Sequence, residues 1–105
     1  MMLAVTIDSL PGYQIKEVLG EVVGSTARRQ NVFMDGVLTP GGREDRKMPE
    51  LLRRWREDAV ARMVQAAYDR GGNAVIGMRF DHRAIGAMWM EICAYGTAVF
   101  VVPAT

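Results

Sequence analysis

The sequence has few of the residues that a disulfide or a structural metal site requires. Its 105 residues include one cysteine and one histidine, so an intrachain disulfide is excluded. There is no Cys-x-x-Cys pair and no second histidine, so a zinc site with four protein ligands is not predicted within one chain. Nothing in the cysteine content points to an oxidising compartment.

The sequence also lacks an excess of either charge and any long apolar run. The sequence has 13 basic and 12 acidic residues, whereas proteins that bind nucleic acid through its backbone carry a marked basic excess on one face. No apolar run approaches the roughly 20 residues of a membrane span, and residues 1–7 lack the basic flank of a signal peptide. We therefore expect a soluble cytoplasmic protein without a nucleic-acid or membrane partner.

The apolar content and the pattern of predicted elements indicate a single α+β domain over residues 1–105. Half of the residues are apolar, which suffices for one core at this length. An amphipathic helix is predicted over residues 49–70 and ends at Gly71, which can adopt the left-handed conformation of a helix C-terminus. Its apolar residues recur at steps of three and four and predict one buried stripe: Met48, Leu51, Leu52, Trp55, Ala59, Met63, Ala66 and Ala67.

Four extended segments accompany the helix. In the second, the alternation of apolar residues changes phase between Ile15 and Val18, which predicts a bulge. Gly20 and Gly24 indicate places where another backbone comes close. We expect an antiparallel sheet packed on the one long helix. The segments span residues 3–7, 13–24, 74–82 and 88–102, and residues 25–47 are the least regular stretch.

The last two segments carry an apolar pattern that predicts self-association. Over residues 74–82 the apolar residues are even-numbered, while Arg79 and Asp81 point the other way. Over residues 88–102 the even-numbered residues are expected to face the helix. The opposite face of a monomer would then expose an apolar patch of the kind that usually meets a partner, made of Trp89, Tyr95, Val99 and Val101.

Five short motifs, in this order and spacing, resemble the YbjQ-like family of small bacterial and archaeal proteins. The resemblance covers nearly the whole chain. It implies a dodecin-like two-layer subunit that assembles into a ring, a homopentamer. The family is named for heavy-metal binding, its members' function is largely unestablished, and it supplies no catalytic residues. Arg28-Arg-Gln30 departs from it, because the family is apolar there. The motifs are Pro11-Gly-Tyr13, Gly20-x-Val-x-Gly24, Gly41-Gly-Arg43, Gly71-Gly-Asn-Ala-Val-Ile-Gly77 and Tyr95-Gly-Thr-Ala-Val99.

Cys93 and His82 are the candidate ligands for a divalent or soft metal ion. The alternation predicts that they lie on opposite faces of the sheet. A hairpin turn near residues 83–87 would separate them by over ~10 Å along the strands, so only neighbouring subunits could share an ion between them. Thioethers and imidazole also suit Cu(I), for which His82 lies near Met88 and Met90. The alternative is that Cys93 is a plain buried residue and that the methionines fill the core.

Gly41, Gly42 and Arg43 form the best candidate anion site. Backbone N–H groups near a helix start, with Arg46 and Lys47 beside them, attract phosphate or carboxylate. The alternative is a glycine loop with solvated charges.

A nucleophilic enzyme is not expected, because Cys93 has no base nearby in the sequence and Glu91 would raise its pKa. We predict a non-enzymatic oligomer that binds a metal ion or a small anion where subunits meet. An assembly or partner-binding scaffold without a ligand is the alternative. An enzyme acting on an anionic metabolite through interfacial residues is a third possibility.

Overall fold

The computed structural model describes residues 2–29, 48–86 and 89–105. The described chain forms one helix and four strands. In chain order the elements are β1 (Leu3–Ala4), β2 (Tyr13–Arg29), α1 (Met48–Asp69), β3 (Ala74–Ile85) and β4 (Trp89–Pro103).

The four strands form one mixed sheet in the order β1-β3-β4-β2. The pairs β3–β4 and β2–β4 are antiparallel, whereas β1 runs parallel to β3. The predicted α+β class is confirmed, but the expectation of a wholly antiparallel sheet is wrong at this edge. The difference arises because the first segment pairs with β3 at one edge, while β2 lies beside β4 at the other.

Strand β2 is longer than its sequence pattern predicts. It spans 17 residues and continues through the polar stretch that follows Gly24. Its pairing with β4 shifts register between Ile15 and Glu17 and again between Val18 and Gly20, which confirms the predicted bulge. Its polar end stays in the sheet because all of residues 20–29 find backbone partners on β4.

The helix lies on the sheet through residues spaced four apart. Trp55, Ala59, Met63 and Ala67 are buried, as the periodicity predicts, and they form one core with Val22, Val75, Ile92, Ala94 and Ala98. Gly24 has no side chain where α1 crosses β2. A Cβ there would collide with the backbone of Ala59 and Met63, so the predicted close approach is confirmed at this glycine.

The helix ends beside Gly71, as predicted. Two interlocked hydrogen bonds close its last turn. The N–H of Gly72 donates to the carbonyl of Ala67 at 2.9 Å, and the N–H of Gly71 donates to that of Tyr68 at 2.9 Å. Gly71 has a φ of 87°, which only glycine adopts without strain. This geometry is the Schellman motif and turns the chain back toward β3.

Helix α1 covers only part of its face of the sheet. It lies over β2 and β4, while Ala4 on β1 and Met78 and Phe80 on the same face of β3 are only partly buried. An open strip therefore remains beside the helix. Its floor includes Met2, Ala4, Met78 and Phe80.

The face of the sheet opposite the helix has a second, smaller core. Leu10 packs there against Ala74, Ile76, Val99 and Val101. Val99 is 0% exposed and Val101 is 7% exposed. The prediction that a monomer would expose both valines is therefore wrong, because the segment before β2 covers them.

A bulge in β3 explains why Ala74 and Ile76 do not share a face of the sheet with Phe80, although the alternation predicts that they do. The pairing with β4 shifts register between Ile76 and Arg79, and Gly77 between them has a φ of 64°. Ala74 and Ile76 consequently face the second core, while Phe80 faces the helix side. Even-numbered residues do not share one face along the whole strand.

The middle of the outer edge of β2 is covered by two arginine side chains from the helical segment. Arg62 donates from Nη1 to the carbonyl of Ser25 at 2.9 Å. Arg70 donates from Nη1 to the carbonyls of Glu21, at 2.8 Å, and Leu19, at 3.3 Å. These carbonyls would otherwise be free to pair with another strand.

No helix in the described residues combines the length and the apolar character needed to cross a membrane.

Candidate functional site

Cys93 lies on the face of the sheet that points away from α1. Its neighbours along β4, Ile92 and Ala94, are buried in the helix-side core, so the alternation of the strand turns Cys93 outward. Directly across from it are Asp81 on β3 and Ser25 on β2. The thiol is partly exposed.

The surroundings of Cys93 favour its neutral thiol. Its pKa is raised, first by burial and then by the nearby carboxylates of Glu91 and Asp81. The guanidinium of Arg83 acts in the opposite direction but pairs with Glu91 at 2.9 Å. The predicted effect of Glu91 on the pKa is confirmed, and a raised pKa makes the thiol a poor nucleophile at neutral pH.

His82 lies on the helix side of the sheet. Its Nε2 accepts a hydrogen bond from Nε of Arg56 on α1, at 3.2 Å. Its ring is stacked near that of Phe80, with 6.4 Å between the centroids and 15° between the planes. While Nε2 accepts this hydrogen bond, it cannot also coordinate a metal ion.

The sheet therefore separates the two candidate ligands, as the alternation predicts, but the predicted distance along the strands is wrong. Asp81 pairs with Cys93, and His82 pairs with Ile92. Along the strand direction, His82 and Cys93 are therefore only one residue apart, roughly 3.3 Å. The reason is that β3 extends to Ile85 and β4 begins only at Trp89. The hairpin turns later than expected.

The described residues of one chain do not bring enough ligands together for a metal ion. In residues 2–29, 48–86 and 89–105, no group of three or more His, Cys, Asp or Glu side chains could hold one. Met90 is partly buried against the helix-side core, which is the behaviour of a core residue. Met88 and the predicted anion loop of Gly41, Gly42 and Arg43 lie outside the described residues.

An apolar groove lies between α1 and β3 and was not predicted from the sequence. The groove has a volume of about 370 Å³. An adjoining hollow of about 430 Å³ shares Ala61 and Val64 with it and reaches Met2 and Tyr68. The available signal was a second row at four-residue spacing, Val60, Val64 and Tyr68, beside the buried stripe. The groove is lined by Arg53, Arg56, Glu57, Val60, Ala61, Val64 and Phe80.

Arg56 differs from the other arginines near the start of the helix. Arg53 pairs with Glu57 at 2.8 Å, and Arg54 pairs with Glu50 at 3.5 Å, as predicted for a salt-bridged face. Arg56 instead donates to His82, and its guanidinium carbon lies 5.8 Å from the centre of the Phe80 ring. No carboxylate in the described part of the chain forms an ion pair with it.

The described residues define a small α+β protein with one helix on a four-stranded sheet, and they contain no complete set of metal ligands. A family profile described as "Putative heavy-metal-binding" matches residues 2–102. A UPF0145 protein of Acidothermus cellulolyticus is 48% identical over 103 residues, covering 95% of each chain. Another, from Streptomyces coelicolor, is 42% identical over 103 residues, covering 95% of this chain and 97% of that one.

The chain therefore belongs to the YbjQ-like UPF0145 family, as the resemblance implied. Among solved structures, a protein of unknown function of the DUF74 family from Pediococcus pentosaceus has a similar fold. Its TM-score is 0.69 at 14% identity, over 96% of this chain and 98% of the other. At that identity the likeness concerns the fold alone.

Proposed function

We propose that this protein is a non-enzymatic, dodecin-like subunit of a cytoplasmic ring, a homopentamer, which binds a metal ion where subunits meet. The observation that carries the proposal is the position of Cys93. Its thiol is partly exposed on the sheet face that points away from α1, beside Asp81 and Glu91, and the described residues of one chain do not complete a set of ligands around it.

The shape of the chain supports assembly. Its Cα radius of gyration is 16.9 Å and its longest dimension is 59 Å, whereas a compact chain of this length has a radius of about 13 Å. Trp89 is 47% exposed and Val23 is 46% exposed, and both belong to the sheet face that carries Cys93. Burying this face between copies would remove apolar surface from water.

The electrostatics of the same face favour a cation. The carboxylates that help to raise the pKa of Cys93 create a negative potential at its sulfur. A divalent or soft metal ion would be attracted by this potential and would replace the thiol proton on binding. Further donors would come from a neighbouring subunit. His82 could take part only after its hydrogen bond with Arg56 is broken.

Native mass spectrometry of the untagged protein, with and without Zn²⁺, Cd²⁺ and Cu(I), tests the proposal. We expect a ring whose mass gives the number of subunits and which takes up ions in a fixed ratio to them. Cys93→Ser should abolish uptake and keep the ring, while His82→Ala tests the second candidate ligand. A ring that takes up no ions would refute metal binding but not assembly.

A scaffold that assembles or binds a protein partner without a ligand is the second candidate, and exposed Trp89 favours it. In that case the ring would bind no ion, and Trp89→Ala would disrupt assembly. The third candidate, an enzyme acting on an anionic metabolite, would require an activity that depends on residues at the subunit contact.

A further inference from the structure

We propose that the groove between α1 and β3 binds a small organic anion, an apolar monocarboxylate whose carboxylate pairs with Arg56. This site lies within one chain on the helix side of the sheet. It depends neither on the proposed ring nor on the metal site at Cys93, which lies on the opposite face.

The walls of the groove suit the apolar part of such a ligand. Val60 and Val64 lie one helical turn apart on α1, Ala61 lies beside them, and Phe80 forms the opposite wall. The volume of about 370 Å³ falls at the lower end of the ~300–1,000 Å³ typical of small-molecule sites. An aliphatic or aromatic body of about ten carbon atoms would cover these side chains and leave little of them in water.

The charge at the groove suits the acidic end. Arg56 lines the groove, and its hydrogen bond to His82 engages Nε alone. Its two Nη groups form a fork that matches the two oxygens of a carboxylate. The guanidinium carbon lies 5.8 Å from the centre of the Phe80 ring, so the charge sits at the edge of the apolar wall, where a bound ligand body would exclude water from it and strengthen the pairing.

The other charged residues of the groove also favour one negative charge at Arg56. Arg53 and Glu57 lie on its rim but neutralise each other through their 2.8 Å ion pair. Of the two arginines that line the groove, Arg56 is therefore the one without a carboxylate partner in the described residues. An apolar cation would be repelled there, and a neutral ligand of the same shape would leave the guanidinium fork unused.

Titration of the full-length protein with decanoate, followed by methyl NMR of Val60 and Val64, tests this proposal. The neutral analogue 1-decanol serves as the matched probe. We expect saturable shifts with decanoate and affinity at least about tenfold weaker for 1-decanol, since a charge-assisted hydrogen bond contributes about that factor or more. Equal affinity for both probes, or no saturable shift, would overturn the proposal.

Two substitutions on the same helix make the test specific. Arg56→Gln should weaken decanoate binding by about tenfold or more, while Arg54→Gln removes the same charge outside the groove and should leave binding unchanged. Because Arg56→Gln also breaks the contact with His82, Val64→Glu serves as an independent variant that should abolish binding, and circular dichroism checks that both variants fold.

Native mass spectrometry of the same samples separates this site from assembly. Retention of the oligomeric state in Val64→Glu, together with loss of decanoate binding, supports a ligand groove. Loss of the oligomer in Val64→Glu would show that a second copy occupies the groove, which would overturn the proposal.

Discussion

The side chain of Asn73 forms hydrogen bonds with both backbone groups of Val101, as the backbone of a neighbouring strand would. Nδ2 of Asn73 donates to the carbonyl of Val101 at 2.9 Å, and the N–H of Val101 donates to Oδ1 of Asn73 at 2.8 Å. The backbone N–H of Asn73 also donates to the carbonyl of Val99, at 3.0 Å. One residue thus fixes the exit of the helix against β4.

Asn73→Asp should therefore destabilise the fold. The change removes the Nδ2 donor and sets a negative oxygen against the carbonyl of Val101. We expect the free energy of unfolding to fall by about 1–3 kcal/mol, measured by urea denaturation. Gln14→Glu makes the same chemical change at an exposed position of β2 and should stay within about 0.5 kcal/mol of the wild type. Equal losses in the two variants would contradict the assigned role of Asn73.

Gly24→Ala should be more damaging than an alanine at another glycine. A Cβ at residue 24 would collide with the backbone of Ala59 and Met63, which cannot move without separating α1 from the sheet. We expect a loss of at least about 2 kcal/mol in the free energy of unfolding. The control is Gly12→Ala, where a Cβ has open space but φ is 88°, and where we expect about 1–2 kcal/mol. A smaller loss at Gly24 than at Gly12 would disprove the close packing.

The thiol of Cys93 should react slowly with iodoacetamide at neutral pH. Burial and the carboxylates of Glu91 and Asp81 raise its pKa, so the reactive thiolate should form only above the usual pH range of cysteine. Glu91→Gln should lower the pKa and accelerate alkylation at a given pH, whereas Arg83→Gln should slow it. Rates that change in the same direction in both variants would contradict this electrostatic account.

The same shift makes the stability of the protein depend on pH. The thiol holds its proton more tightly in the folded protein than in the unfolded chain, and this difference stabilises the fold. The stabilisation is complete below the unfolded pKa and is lost as the pH rises through the folded pKa. The Cys93→Ser variant has no thiol, so its stability does not decrease for this reason. We expect the stability of the wild type relative to Cys93→Ser to decrease as the pH rises through that range, measured by urea denaturation at a series of pH values.

Removing the arginines that cover the edge of β2 should promote association through that edge. In Arg62→Ala/Arg70→Ala the carbonyls of Leu19, Glu21 and Ser25 lose their donors, and an uncovered edge strand pairs readily with other chains. We expect light scattering to increase on incubation. Arg53→Ala/Arg54→Ala removes the same net charge and leaves the edge covered, so its scattering should match the wild type. Equal aggregation of both double variants would point to charge alone.

The sequence predicted those elements whose signals are local. The spacing of Trp55, Ala59 and Met63 and the glycines after the helix are sufficient for α1 and its end, since both follow from helical periodicity and backbone freedom. The bulge near Ile15 was also visible as a change of phase.

Features that depend on long-range pairing were not predictable in this way. The bulge at Gly77 reverses the face of Ala74 and Ile76, but the even-numbered residues on both sides of it are apolar, so the alternation shows no change of phase there. The position of Cys93 opposite Asp81 depends on where the hairpin turns. The groove at Phe80 depends on how far α1 lies to one side of the sheet, which its own periodicity does not specify.

The arginine cover on β2 has a consequence for growth of the sheet. The arginines cover β2 at Leu19, Glu21 and Ser25, in the middle of an edge strand. In the language of polymer chemistry, this cover lowers the functionality of the monomer, because fewer hydrogen-bonding groups remain at that edge to join a further chain. Continuous growth of the sheet through β2 into a fibre is thereby disfavoured.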